Sequence, residues 1–366
     1  MTSSARPRSE RPRFDDVDLQ LINVLQESAR ISWTDAGRIL RLSPTAVAAR
    51  WNRLESEGVA WISVHHNAVA PDYLTAMVEL GCLPAGRNAL VERLMRDGRV
   101  VSIDESSRGS DLVLTVVVTD LDALSRYVLD DLEPIAEITS VRSSVVLNVF
   151  GTGADWRAGT LDSEQMAELR RLRGAGGGSN GADVNEPASA SDHLPPESWE
   201  IAEQLVRNGR LSVAELARAI DRNPATVRRH LAALLATRRL SFRCDIMHGL
   251  VGYPVTAAFF ARVPSAELAG AVEKLQRLPQ LRMGLQVTGE ANLMFSVLMR
   301  SVNDVARFQH QLGMLVPSIG VMESMVLLRS RKRMGWILDE AGRNTRELVP
   351  PVVLREVLGT SATRAG

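Results

Sequence analysis

Arg228 and Arg229 stand side by side in the segment RNPATVRRHLAAL (Arg222–Leu234), with Thr226 just before them and His230 just after. A second segment, LSPTAVAARWNRL (Leu42–Leu54), offers Thr45, Ala46, Ala49, Arg50 and Arg53. Guanidinium groups suit phosphates and guanine edges, and small side chains let a helix lie close against a surface or touch thymine methyls. These residue types point to contact with double-stranded DNA. Bond-making chemistry has no comparable signal. The chain has no HExxH and no Gly-x-Ser-x-Gly, its six histidines are scattered, and Cys82 and Cys244 lie far apart with no CxxC spacing. The run GAGGGSNG at 174–181 follows an Arg-rich helical segment rather than a strand, so it does not read as a phosphate loop. The expectation is a chain with no catalytic residue, no metal, no cofactor and no enzymatic role.

The two segments are versions of one another. Arg30–Leu54 placed over Arg210–Leu234 without a gap gives identical residues at 30, 32, 38, 44, 47 and 54. Chance would give about two matches in such a span. With a shift of 181, SDLVLTVVVTDLDAL (Ser110–Leu124) lies over ANLMFSVLMRSVNDV (Ala291–Val305), and ITSVRSSVVL (Ile138–Leu147) over IGVMESMVLL (Ile319–Leu328). The chain is therefore written twice, each half a helical unit followed by a strand-rich unit. Between the halves, Gly174–Ser198 is rich in Gly, Ser, Ala and Pro and reads as a flexible linker reaching about 25–30 Å.

Local signals place the DNA-contacting candidates. Asp15–Ser28 carries an apolar stripe at Val17, Leu21, Ile22, Val24 and Leu25. Ser32 can cap a second helix, and its counterpart Ser212 with Glu215 fits a capping box. Ser43 and Asn223 can cap a third, each followed by Pro at the first helical position. In that third helix Val47, Trp51 and Leu54, or Val227, Leu231 and Leu234, share the inward face. The outer face carries Thr45, Ala46, Ala49, Arg50 and Arg53, or Thr226, Arg228, Arg229 and Ala232, and His230 on the same helix is a further candidate for DNA contact. Three helices with a capped last one describe a helix-turn-helix. An ordinary three-helix core with solvated arginines is the plain alternative, and a second copy with matching caps weighs against it. VAWISVHHN and RLSFRCDIM read as the winged strands that follow, with His65 and His66 on a solvated edge. The basic arm Arg6, Arg8, Arg11 and Arg13 reads as a disordered terminus.

The strand-rich units run strand-helix-strand-strand-helix-strand, the ferredoxin-like order, which leaves one sheet face uncovered and in need of a partner sheet. The fold class expected is α+β: two winged helix-turn-helix domains alternating with two ferredoxin-like domains. The 366 residues divide as arm 1–13, helix-turn-helix 14–67, ferredoxin-like unit 68–150, helix and linker 151–197, second helix-turn-helix 198–246, second ferredoxin-like unit 247–334 and tail 335–366. A formal net charge of zero confines any basic surface to local patches. No apolar run reaches membrane-spanning length, so no membrane is expected and the cytoplasm is the expected location.

The stretches 16–32 (DVDLQLINVLQESARIS), 42–59 (LSPTAVAARWNRLESEGV) and 288–295 (TGEANLMF) resemble the Lrp/AsnC (feast/famine) family of transcriptional regulators, over nearly the whole chain from Asp15 to about Met334. The resemblance implies DNA binding, sensing of an amino acid or related metabolite by the ferredoxin-like (RAM) units, and oligomers built by pairing sheets. It places the effector at two turns, Arg108, Gly109 and Asp111 in the first half and Thr288, Gly289 and Asn292 in the second. Arg108 stands where the family turn has Gly, and Asn292 replaces its Asp. The linker's reach implies an intramolecular pseudo-dimer, RAM sheet faces covering each other, that assembles into higher homo-oligomers. Two alternatives stand beside this reading. Siroheme decarboxylases are similar in architecture and use histidines and a basic residue in the sheet; here DLVLTVVVT and NLMFSVLMR hold no His, and only Arg300 is basic. A DNA-organising protein without a ligand is the other.

Overall fold

The computed structural model describes residues 14–66, 73–107, 111–153, 155–176, 196–236 and 240–352. The basic arm and most of the expected linker lie outside these residues.

The first half opens with α1 (Asp16–Glu27), α2 (Trp33–Leu40) and α3 (Pro44–Ser56). Their starts follow from their caps. Asp15 and Asp18 form a capping box, the Ser32 hydroxyl accepts from the Asp35 N–H, and the Ser43 hydroxyl accepts from the Ala46 N–H at 3.1 Å. Each satisfies a backbone donor that the first turn leaves unpaired. Next come β1 (Ala60–His66), β2 (Leu74–Cys82), α4 (Arg87–Met95), β3 (Val100–Ser106), β4 (Leu112–Val118), α5 (Leu121–Ser125) and β5 (Ile138–Gly151); α5 runs on into a π-helical turn. After α6 (Ser163–Gly176) the pattern repeats: α7 (Pro196–Arg207), α8 (Val213–Ala219), α9 (Pro224–Ala236), β6 (Leu240–Ile246), β7 (Val255–Arg262), α10 (Leu268–Gln276), β8 (Leu281–Val287), β9 (Leu293–Met299), α11 (Asp304–Leu315) and β10 (Gly320–Arg333). The stretch expected as a plain tail adds β11 (Trp336–Leu338) and β12 (Asn344–Leu348). Among the described residues no helix is long and apolar enough to cross a membrane.

The two RAM sheets meet at their edges as well as face to face. Each half contributes four strands, and its last strand crosses to the other half: β5 pairs with β8 and β10 with β3, while β10 also pairs with its own β7. Eight strands thereby close into a barrel, and β11 and β12 extend from β10 outside the closure. Closure leaves no unpaired edge among those eight. Side chains alternate across each strand. On β2, Ala76, Val78 and Leu80 pack outward with Leu90, Leu94 and Tyr127 of the covering helical segments, while Met77 faces the barrel interior. On β9, Leu293, Phe295 and Val297 pack outward and Met294 inward. Burial on both faces is why these strands read as continuous apolar runs.

The strands after each helix-turn-helix do not form separate wings. β1 and β6 pair with each other, Ala60 opposite Ile246 and His66 opposite Leu240, making a two-stranded ribbon shared by both halves. Its outward residues Ile62, Val64, Phe242 and Cys244 join Leu21, Trp51, Ile201 and Leu231 in one core, so the two helix-turn-helix units are packed together. The β11–β12 hairpin docks on the first unit, where the Asn344 N–H donates to the Gly58 carbonyl at 2.9 Å. Gly58 has φ +66°, and a Cβ there would collide with Asn344 backbone atoms, so this contact requires glycine.

Candidate functional site

The outer faces of α3 and α9 differ in what they leave available. On α3, Thr45 and Ala49 are exposed and Ala46 is half-buried, while Val47, Trp51 and Leu54 are buried. Arg50 and Arg53 are engaged. Arg50 Nη1 donates to Asp15 at 2.8 Å and to Asp18 at 2.9 Å, and Arg53 Nη2 donates to Asp18 at 2.6 Å. Asp18 is fully buried, so both guanidinium groups neutralise a charge inside the protein. The bonds to Asp15 and then Asp18 raise the Arg50 pKa. On α9, Arg228 and Arg229 are exposed, Thr226 and His230 are half-buried, and Arg229 lies 3.3 Å from the His230 ring. Among the described residues neither Arg228 nor Arg229 pairs with a carboxylate. The compensation is local: α7 aligns with α1 at a shift of 180, which puts Ser198, His230 and Ala233 where the first half has Asp18, Arg50 and Arg53.

The two RAM turns hold backbone rather than open polar groups. Arg108 and Gly109 lie outside the described residues. Asp111 accepts the Cys82 N–H at 2.8 Å and pairs with Arg87. Its counterpart Asn292 accepts the Val263 N–H at 3.0 Å and donates to the Val263 carbonyl at 2.8 Å. Thr288 ties the second half to the first: its N–H donates to the Val145 carbonyl and its hydroxyl accepts the Val145 N–H, both at 2.9 Å. Gly289, at φ +119°, faces Ser144 across that junction. These residues occupy equivalent positions in the two halves and fasten strand ends.

A cavity of about 210 Å³ lies inside the barrel, room for on the order of seven water molecules. Its floor is apolar, with Met77, Val113, Ala258, Leu285 and Met294. Its other end lies against the β1–β6 ribbon and is charged. While the ribbon's outward residues join the helical core, His65 and Arg243 line the cavity. Arg243 grips Asp245 through Nη2 at 2.7 Å and Nε at 2.9 Å, and the Ser63 hydroxyl donates to the same carboxylate at 2.6 Å. Arg282 of β8 stands 3.5 Å from Asp245. Arg333 at the end of β10 donates to the Ile246 carbonyl at 3.3 Å and lies 5.9 Å from the Trp61 ring. Asp104 pairs with the Ser330 hydroxyl.

Burial controls the charge states here. It works against ionisation of Asp245, but Arg243, Arg282 and Arg333 hold that carboxyl below the ordinary range. Burial pushes Asp104 up. Burial, with the three arginines behind it, drives His248 well below its ordinary value, so the imidazole is neutral; it packs edge-on against Trp156 at 5.4 Å. Burial and the crowding of like charges lower Arg282 strongly. Three guanidinium groups thus face two carboxylates, and the arrangement can receive an anion.

Sequence reasoning missed this site. It looked for histidines and basic residues on β4 and β9 and found only Arg300. The cavity draws them from β1, β6, β8, β10 and the loop after β6. His65, expected on a solvated edge, is buried. The signal was the alternation in LSFRCDI, which sets Arg243 and Asp245 opposite the apolar Phe242 and Cys244 face.

Residues 14–55 match the AsnC-type helix-turn-helix domain, 75–153 the Lrp/AsnC ligand binding domain, and 199–237 a winged helix-turn-helix DNA-binding domain. The chain is 28% identical over 145 residues to the uncharacterized HTH-type transcriptional regulator PH0140 of Pyrococcus horikoshii, covering 39% of this chain and 92% of that one. It is 24% identical over 145 residues to the HTH-type transcriptional regulator Ptr1 of Methanocaldococcus jannaschii, covering 38% of this chain and 97% of that one. In fold, the chain is similar to the siroheme decarboxylase NirDL in co-complex with an iron-uroporphyrin III analogue, with a TM-score of 0.57 at 10% identity, over 96% of this chain and 99% of that one. That likeness overturns the expectation of a chain that is not an enzyme. Over its whole length the architecture is one that an enzyme uses, and histidines and arginines line the cavity from strands other than β4 and β9. With two helix-turn-helix domains and the Lrp/AsnC ligand binding domain matched, the chain carries the domains of the Lrp/AsnC family of transcriptional regulators and is similar to its members.

Proposed function

We propose that the protein is a DNA-binding regulator whose two recognition helices, α3 and α9, contact unequal half-sites, and whose barrel cavity takes an anionic small molecule that tunes them. The observation that carries this reading is the shared β1–β6 ribbon. Its apolar face is part of the core under both helix-turn-helix units, and its charged face lines the cavity. A ligand that draws on Arg282 and Arg333, which touch the ribbon at Asp245 and the Ile246 carbonyl, shifts the ribbon, and with it the spacing of α3 and α9. The two RAM turns are a weaker effector site, because Asp111 and Asn292 are already engaged with backbone.

The test has two parts. Arg228→Ala with Arg229→Ala should weaken operator binding at least tenfold with the fold intact, since each phosphate or base contact contributes about 1–3 kcal/mol and neither side chain is buried. Unchanged affinity at physiological salt rejects α9 as a reading helix. DNA fragments recovered with the full chain should then change affinity with at least one anionic metabolite.

The full-length likeness to an enzyme supports a second reading. His65 and His248 line a cavity with buried arginines, and the fold matches a protein described with a bound tetrapyrrole. In that reading the arginines would hold substrate carboxylates and a histidine would handle a proton. Mixing the protein with an iron uroporphyrin and following the Soret band and carbon dioxide release decides it.

A further inference from the structure

The cavity's charge and shape specify a ligand class more narrowly than an anion. The following rests on reading the cavity as a small-molecule site. Its charged groups are gathered at one end. Arg243 and Asp245 lie on β6, Arg282 at the start of β8 and Arg333 at the end of β10, all against the ribbon. The opposite end holds Met77, Val113, Ala258, Leu285 and Met294, with no charged side chain among these five. Arg243 is taken up by a two-pronged pair with Asp245. Arg282 and Arg333 remain, with Asp104 the only other carboxylate among the described lining residues. Lys332 also lines the cavity, but its ammonium is turned to the Asp97 carbonyl at 2.9 Å. The excess at the ribbon end is then about one positive charge, in a place where an unbalanced charge is unfavourable. One anionic head satisfies it, whereas a polycarboxylate would reverse it.

We propose that the cavity binds an amphipathic monocarboxylate: a single carboxylate between Arg282 and Arg333 beneath the ribbon, and a hydrocarbon tail lying along Met77 and Met294. Arginine's planar fork suits a carboxylate, and methionine side chains adapt to a flexible tail.

The experiment titrates the full chain with straight-chain carboxylates from acetate to dodecanoate, reading tryptophan fluorescence (Trp61 lies beside Arg333) and melting temperature. Affinity should rise roughly fourfold per added methylene, then fall once the tail outgrows the cavity. The corresponding alkanols and alkylamines should bind at least tenfold more weakly. Arg282→Met should lower carboxylate affinity at least tenfold and keep the dependence on tail length. Ala258→Leu, which leaves the charges alone, should move the optimum to a shorter tail, and it serves if the Arg282 variant does not fold. Equal binding of alkanols overturns the head-group assignment. Absence of binding across the series, or binding of an iron uroporphyrin alone, overturns the proposal. A gel shift without any carboxylate separates these failures from failure of the DNA-binding reading, which would show no bound fragment at all.

Discussion

Arg30 and Arg210 cross between the two halves and each bonds the other half's backbone. Arg30 Nη2 donates to the Leu211 carbonyl at 2.9 Å, and Arg210 Nη2 donates to the Ile31 carbonyl at 2.7 Å. Arg30 also donates to the Gly209 carbonyl, and Arg210 to that of Ala29. Each guanidinium also lies over an aromatic ring, Arg210 at 3.7 Å from Trp33 and Arg30 at 5.7 Å from Phe242. Burial, then Arg30's charge, pushes Arg210 down to about 10. These two side chains answer why the chain repeats itself with arginine at that position: each copy holds the other.

Arg210→Ala therefore removes two charge-assisted hydrogen bonds and a stacked contact at the junction. A loss of roughly 3 kcal/mol is expected, since such bonds contribute about 1.5–3 kcal/mol each and part of the loss is recovered by relaxation. Urea denaturation measures it. Because the pair aligns the two helix-turn-helix units, operator affinity should fall too, although Arg210 lies on neither reading helix. Unchanged stability and unchanged affinity together would show the crossing to be incidental.

Leu147 and Leu328 are each 66% exposed and sit at equivalent positions, as do Leu121 at 63% and Val302 at 60%. Apolar side chains repeated by the internal symmetry on the outside of the barrel suit contact with a second copy. Leu147→Asp with Leu328→Asp should shift sedimentation velocity toward the single chain and leave the melting temperature nearly unchanged. Identical sedimentation of the two proteins would remove these residues from any assembly surface.

The capped helices were legible because caps are local. Ser32, Ser43 and Ser212 each act within three residues, and Asp15 was missed only because an aspartate pair is a less familiar box. The barrel was legible in part. The ferredoxin-like order predicts an uncovered face, but closure through β5–β8 and β10–β3 depends on long-range register that no short window contains. The cavity was not legible as a site. Its arginines are spread over Arg243, Arg282 and Arg333, dozens of residues apart, and each alone reads as an ordinary surface cation. The β1–β6 ribbon was misjudged for a related reason: each strand resembles a wing, and only the fold pairs one with the other.

Lys332 is fully buried, and its ammonium donates to the Asp97 carbonyl at 2.9 Å. Burial pushes its pKa down to about 8, against 10.5 for a free lysine. The unfolded chain therefore holds this proton more tightly than the folded one. The resulting penalty on folding is fully present below pH 8 and is relieved as pH rises toward 10.5. At 1.36 kcal/mol for each tenfold in proton affinity it is on the order of 3 kcal/mol. Lys332→Met should be roughly 1–3 kcal/mol more stable at pH 7, allowing for the lost bond to Asp97. The advantage should shrink between pH 8 and 10. Denaturation of both proteins at pH 7, 9 and 10 tests this, and a difference that does not vary with pH contradicts it.

The divergence of the two reading helices is the last expectation, and the structure changes how it must be tested. Replacing Ser43–Leu54 by Asn223–Leu234 should give the chain two like helices and make the DNA site it selects from random sequence more symmetric, because site symmetry follows protein symmetry. Yet the exchange puts His at position 50 and Ala at 53, and it strips Asp18 of both its arginine partners, leaving only the Asp15 N–H. A buried carboxylate left without a counter-charge destabilises by about 3–5 kcal/mol. The exchange by itself should thus melt earlier and bind poorly for a reason unrelated to recognition. Adding Asp18→Ser, the residue that Ser198 supplies in the second half, should restore the melting temperature. The restored chain should then select the more symmetric site. If it selects the same site as the original, or if the original already selects a perfect palindrome, α3 and α9 do not read different sequences.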